Sequence, residues 1–227
     1  MVDSLGDRIK KYEAVTQAHL IRRMPVIIRL DGCHFSKFTK WCVKPFDEQL
    51  SNIMADTTEY LINNIQGAVF GYTQSDEITL VLKDYDTFET EAWFGNNIQK
   101  IVSVSASTCS AFFNKQISEY TKVDKLATFD SRVFNVSKEE VANVIIWRQK
   151  DIIRNSVQAL GQYHLGHKVI QGLNNLEVMQ KLYEAGVDIL TIPKRFTHGI
   201  ACTKDIGIDL ELPTFTEDRN YIEKYII

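Results

Sequence analysis

Cysteine is sparse and scattered. Cys33, Cys42, Cys109 and Cys202 are the four in 227 residues, and no two stand at the paired spacing of a zinc site or a redox dithiol. They read as reduced thiols. Long apolar runs are missing: no stretch approaches the roughly 20 residues of a membrane span. Met1-Val2-Asp3-Ser4 lacks a basic-then-apolar leader, so the chain is expected to be soluble and cytoplasmic. Positive charge is not in surplus, the net charge being −3. That excludes a uniformly basic coat but not nucleic-acid binding, because each phosphate contact is a local event. Arg22-Arg23, Lys194-Arg195 and the series Arg148, Lys150, Arg154 remain as basic patches, with Lys10-Lys11 read as solvated surface. Internal repeats and low-complexity tracts are also lacking. What is present is a hydrophobic content of 44%, enough for one core of good size.

Two stretches stand out. Val26-Ile27-Ile28-Arg29-Leu30-Asp31-Gly32 drives a β-branched run, the signature of a buried strand, into a carboxylate and then into a glycine. An ionised carboxylate is costly to bury alone, so Asp31 is expected at the rim of a sheet, and Gly32 lets the main chain approach a ligand. The second stretch reads as two strands, Ala68 to Thr73 and Ile78 to Leu82, joined by a tight turn carrying Asp76 and Glu77. If these strands lie beside the first, Asp31 and Asp76 converge on one site. Magnesium takes one or two carboxylates plus substrate phosphates, and two acids on neighbouring strands suit metal-assisted nucleotidyl transfer. Adjacent strand residues point to opposite faces, so Asp76 is expected as the ligand and Glu77 as an outer-shell or part-time one.

A series of motifs, in order and at family spacing, carries a resemblance. Arg29-Leu30-Asp31-Gly32 with Phe35 and Phe38, Lys44-Pro45-Phe46-Asp47-Glu48, Thr73-Gln74-Ser75-Asp76-Glu77, Gln99-Lys100-Ile101-Val102-Ser103, Phe129-Asp130-Ser131-Arg132-Val133-Phe134 and Trp147-Arg148-Gln149 resemble the histidine-tRNA guanylyltransferase family of 3′–5′ RNA polymerases. The resemblance implies a polymerase-type palm and magnesium held by Asp31, the Gly32 carbonyl and Asp76. It also implies catalytic roles for Asp31, Asp76 and Glu77, and nucleotide binding by Asp31, Gly32, Cys33, His34, Phe35, Ser36, Lys44, Asp47, Ser75, Asp76 and Lys100. Arg29, Arg132, Arg148, Arg154 and Asn155 are the residues expected to grip RNA or its activated end. Cys33 and His34 replace basic or amide residues usual in the family. Arg154-Asn155-Ser156-Val157 resembles the bacterial and archaeal branch, whose members repair tRNA 5′ ends, rather than eukaryotic members with a His-Ile-Asn-Asn type segment.

Along the chain, Ser4 to His19 is expected to form an amphipathic helix with Leu5, Ile9, Tyr12 and Val15 on one face, capped by Ser4 or Asp3. Helices are expected over Asp47 to Ile65, Trp93 to Asn114, Lys138 to about Leu160, and Leu176 to Ala185, with a strand from Phe129 to Val136. The order strand, helix, strand, strand, helix, strand is the ferredoxin-like βαββαβ arrangement, an α+β fold. Residues 1–136 are expected as a palm-type catalytic domain. Residues 137–227 are expected as a helical region and a small C-terminal extension packed on it as one continuous unit. The function that the resemblance implies is a magnesium-dependent, template-directed 3′–5′ nucleotidyltransferase that extends the 5′ end of tRNA after activation by ATP or GTP. Two magnesium ions, tRNA, NTP and a homotetramer are the cofactors and partners that go with that resemblance. A palm-domain nucleotide cyclase and a catalytically inactive RNA-binding module are the alternatives, since fold alone does not choose among them.

Overall fold

The protein is described by a computed structural model covering residues 4–121 and 125–226; Asp3, the alternative cap, lies outside them. In chain order the elements are α1 (Leu5–Ala14), β1 (Val26–Gly32), α2 (Phe35–Phe38), α3 (Glu48–Asn64), β2 (Ala68–Gln74), β3 (Glu77–Leu82), α4 (Ile98–Tyr120), β4 (Phe129–Asn135), α5 (Lys138–His164), α6 (His167–Ile170), α7 (Asn175–Glu184), α8 (Lys194–Thr197), β5 (Ile200–Thr203), β6 (Gly207–Asp209) and α9 (Asn220–Glu223). One antiparallel sheet carries all six strands in the order β4-β1-β3-β2-β5-β6. Its first four strands, with α3 and α4, are the ferredoxin-like unit.

Strand β1 shows how sequence sets the layers. Val26, Ile28 and Leu30 face α3 and α4, where they join Ile53, Leu61, Ile101 and Phe113 in the larger core. Ile27 faces the other way, against Ile145 of α5 and Phe215 and Ile222 of the C-terminal segment. Each such fully buried Ile, Leu or Phe contributes about 1.5–3 kcal/mol. On that second face β1 then changes character, because the next residues with the same orientation are Arg29 and Asp31. A third core joins Val157 and Leu160 of α5 to Ile170, Val178 and Leu182 of α6 and α7. It closes because Gly161 has no side chain; a Cβ there would lie 2.7 Å from Val178 Cγ1.

Three expected helices have different bounds. The first ends at Ala14 rather than His19, because residues 19–21 turn away to pair with Asn97, Asn96 and Asn135. Ser4 Oγ accepts from Asp7 N–H as its cap, yet Leu5, Ile9, Tyr12 and Val15 are 49–83% exposed. The helix expected from Trp93 starts at Ile98 instead, since Phe94, Gly95 and Asn96 adopt left-handed backbone and Asn97 supplies the cap, its Oδ1 accepting from Lys100 N–H. It continues to Tyr120. Helix α5 continues to His164. Strand β5, absent from the sequence reading, pairs with β2 and so extends the sheet beyond the four-strand unit.

Candidate active site

Strands β2 and β3 are joined by a two-residue turn, Ser75-Asp76, between the paired Gln74 and Glu77. Ser75 has φ of 51°, as such tight hairpins require. The Gly32 N–H donates to the Asp76 carbonyl at 3.1 Å, which ties the end of β1 to the hairpin tip. Gly32 is required by close approach: a Cβ would lie 2.2 Å from the Phe35 ring. Phe35 is itself core, packed among Phe38, Phe113 and Phe129 at centroid separations of 5.1–5.5 Å.

Asp31 is directly opposite Glu77 on one side and Asp130 on the other, so three acidic residues form a row on the α5 face of the sheet. Their carboxylates have different partners. Asp130 pairs with Arg132 at 3.3 Å, Glu77 with Arg148 at 2.6 Å, and Asp31 makes no side-chain hydrogen bond or ion pair among the described residues. Asp76 accepts from Ser75 Oγ at 3.0 Å. Burial pushes the Asp76 carboxyl above its ordinary range and the nearby Asp31 adds to the rise, while hydrogen bonds from Ser75 and its own backbone oppose it. Asp31 and Asp76 are thus neighbouring acids with no ion-pair partner among the described residues.

Glu77 is governed by burial, which raises it, against Arg148, which stabilises its charge. Arg148 is itself buried. Its Nη1 lies 2.7 Å from Asp151, and Asp151 in turn pairs with Arg154 at 2.7 Å. Arg148, expected to grip RNA, is paired inside the protein through Nε and Nη1. Arg154 is 62% exposed and open to a ligand. In the row behind the acids, Arg29 stands between Arg132 and Thr79. Its guanidinium lies 5.3 Å from the half-exposed Trp147 ring, and its Nε is buried without a protein partner, as is Thr79 Oγ1.

Beside the hairpin tip lies a cavity of about 370 Å³. Ser36, Lys44, Asp47, Ser75, Asp76 and Asn155, all expected from sequence, line it, as does the Phe35 ring. Asp47 also holds the backbone around it, since Oδ1 caps α3 by accepting from Leu50 N–H and Oδ2 accepts from Val43 N–H, both at 2.8 Å. Lys44 has no acid partner among the described residues; burial, helped by Asp47, pushes the Cys42 thiol up to about 11 against the opposing charge of Lys44. Cys33 and His34 sit in the turn between β1 and α2, His34 with left-handed backbone, and neither lines the cavity.

Sequence reasoning missed the cavity's far wall. Phe46 and Phe196 stack face to face, centroids 5.0 Å apart, and Arg195 holds α8 to α3 through Ser51, Asn52 and Glu48. The signal was the Lys194-Arg195 pair followed by an aromatic. Lys100 stands apart from the cavity. It was expected at the nucleotide, but α4 runs so that its C-terminal half adjoins the site end of β4, with Ser110 at Phe129 and Ser105 at Ser131. Lys100 is therefore at the opposite end of the sheet, exposed, and away from its own chain's cavity.

The family pattern described as Thg1, tRNAHis guanylyltransferase, matches residues 6–137. Among solved structures the chain is similar to a bacterial tRNA(His) guanylyltransferase-like protein in complex with ATP, at TM-score 0.95 and 42% identity, with 98% of this chain and 99% of that one covered. An uncharacterised protein of Acanthamoeba polyphaga mimivirus is 32% identical over 90% of this chain and 78% of its own length. The tRNA(His) guanylyltransferase 1 of Arabidopsis thaliana is 26% identical over 88% of this chain, which spans 37% of that protein's length.

Proposed function

The chain belongs to the tRNAHis guanylyltransferase family, and from that premise we propose that it extends the 5′ end of tRNA in the 3′–5′ direction, with the hairpin-tip cavity as its nucleotide site. The observation that carries the reading is the meeting of Asp31 and Asp76, two uncompensated acids, beside a cavity that also presents the unpaired Lys44. Family membership does not favour a nucleotide cyclase or an inactive RNA-binding module.

The residues present fit magnesium. No group of three or more His, Cys, Asp or Glu side chains is assembled for a metal among the described residues. A hard cation that takes one or two carboxylates plus phosphate oxygens needs no such group. Asp31, Asp76 and the Gly32 carbonyl would hold it, and when bound it would supply charge stabilisation to the phosphoryl group under attack. The chain's own residues do the rest. The Phe46–Phe196 stack and the apolar side chains of Leu50, Met54 and Ile152 enclose the base of ATP or GTP, while Lys44 and Ser75 meet its phosphates. Arg148 fixes Glu77 and thereby the first residue after the hairpin turn, which positions Asp76. Arg29, Arg132 and Arg154, with the Trp147 face, hold the tRNA 5′ end. The incoming nucleotide's 3′ oxygen bonds to the phosphorus of the activated end, whose pyrophosphate or nucleotide leaves as its own bond breaks.

A homotetramer is part of this proposal. The uncovered face of α1 is apolar, and Lys100 can serve a nucleotide only if a neighbouring subunit delivers it. The decisive test is incubation with magnesium, labelled NTP and a tRNA lacking its first nucleotide. Elongation from the 5′ end is expected, lost in Asp31→Asn and Asp76→Asn; a cyclic nucleotide product, or full activity in either variant, overturns the reading.

A further inference from the structure

A second cavity, open and about 820 Å³ in volume, lies between α5, α6 and α7. Helix α5 is the wall between the two cavities. Its Ile152, Asn155, Ser156 and Ala159 line the first, and Lys150, Arg154, Gln158 and Gln162 line the second. In a chain of net charge −3 the second lining contains two permanent cations, a histidine and five amides, and no carboxylate. The acids closest in sequence to it are already engaged: Asp151 holds Arg148 and Arg154, and Glu177 accepts from Asn174 N–H in a capping box at the start of α7. Amide side chains donate and accept together, which suits base edges, and the cations suit phosphates. The lining has no Phe, Tyr or Trp on which a base could stack, so binding draws mainly on contacts spread along a chain.

We propose that this groove binds the single-stranded 3′ overhang of the RNA whose 5′ end is extended. The inference rests on the function proposed above, and it follows from its geometry. Base choice by pairing requires the opposite strand to run past the 5′ end, so an unpaired 3′ segment must leave the duplex beside the reacting phosphate. A groove one helix width away, about 10 Å across α5, is where that segment arrives. Arg154, on the shared wall, meets the backbone at the crossing, and Lys150, Gln162 and Gln171 line its path.

The test is RNA binding by the full chain, read by fluorescence anisotropy with a hairpin carrying a short unpaired 3′ tail and with its blunt counterpart. The tailed hairpin is expected to bind about tenfold more tightly. Lys150→Ala/Gln162→Ala/Gln171→Ala changes three exposed side chains that make no side-chain hydrogen bond or ion pair among the described residues. It should bring the two hairpins to within about twofold and lower the salt slope for the tailed one by about one. ATP binding and blunt-hairpin binding should stay unchanged. Lys150→Glu alone should act in the same direction. Retention of the tail preference in both variants overturns the proposal, as does displacement of the tail by a basic or acidic peptide or by free ATP as readily as by single-stranded RNA. The two readings fail separately. If the tail preference depends on the groove but no nucleotide is ever added, the extension reading falls and the groove stands. If addition proceeds and the tail preference ignores the groove, the reverse holds.

Discussion

At the scale of single residues, charge decides what each side chain does. Asp76 is disfavoured as an anion by burial and by Asp31, so its folded pKa lies above its unfolded one. A group shifted that way contributes stability when protonated and loses it as pH rises through the raised folded value. Asp76→Asn, always neutral, should therefore raise the metal-free melting temperature at pH 7 by roughly 2–4 °C for each kcal/mol relieved. The gain should shrink as pH falls through the raised folded value and vanish below the unfolded one, checked by calorimetry across pH. The same variant should lose nucleotidyl addition by about a thousandfold, the cost typical of removing a group that stabilises transition-state charge. Arg148 behaves oppositely. Arg148→Ala leaves Glu77 buried without its partner and should cost about 3–5 kcal/mol in urea unfolding. Adding Glu77→Gln should recover part of that loss, which a purely surface role for the pair would not allow.

Elements depend on close approach. Gly161→Ala should strain the α5–α7 contact, since the new Cβ meets Val178 at 2.7 Å, at a cost of about 1–3 kcal/mol and with faster proteolysis of the 165–190 region. Much at this scale was legible in the amino-acid order. The β1 and β2–β3 strands, the long helices and the hairpin turn follow from apolar periodicity and from a polar pair between two apolar runs. The ends were less legible, because tertiary partners set them: α1 stops at Ala14, short of the segment in which His19 pairs with Asn97, and α4 starts where three left-handed residues deliver Asn97 as a cap. Strand β5 was illegible for a different reason. Ile200-Ala201-Cys202-Thr203 is too short and too mixed to signal alone, and it exists because β2 offers an unpaired edge.

At the scale of the whole molecule, the sheet brings together residues that sequence spacing hides. Asp31, Asp76 and Lys44 were readable as motifs and Lys194-Arg195 as a basic patch, whereas the place of Arg195 and Phe196 in the cavity wall was not, since nothing local links them to Phe46. Arg148 and Lys100 show the complementary limit of motifs, which name residues without saying which way a helix runs or which partner a charge already has. The α1 face gives a prediction of its own. Light scattering on a sizing column should give a tetramer mass, and Leu5→Ser/Ile9→Ser should lower it without altering the monomer's circular dichroism; an unchanged mass would remove that face from the interface.

The stacking of Phe196 on Phe46 also bears on biosynthesis. The ribosome releases both acids and the lysine long before residue 196 emerges, so a nascent chain halted near residue 190 would own every charged group of the first cavity except Arg195 yet lack one of its walls. Such a fragment should fail to retain ATP. Closure of that wall thus comes later in synthesis than the acids and the lysine it stands beside.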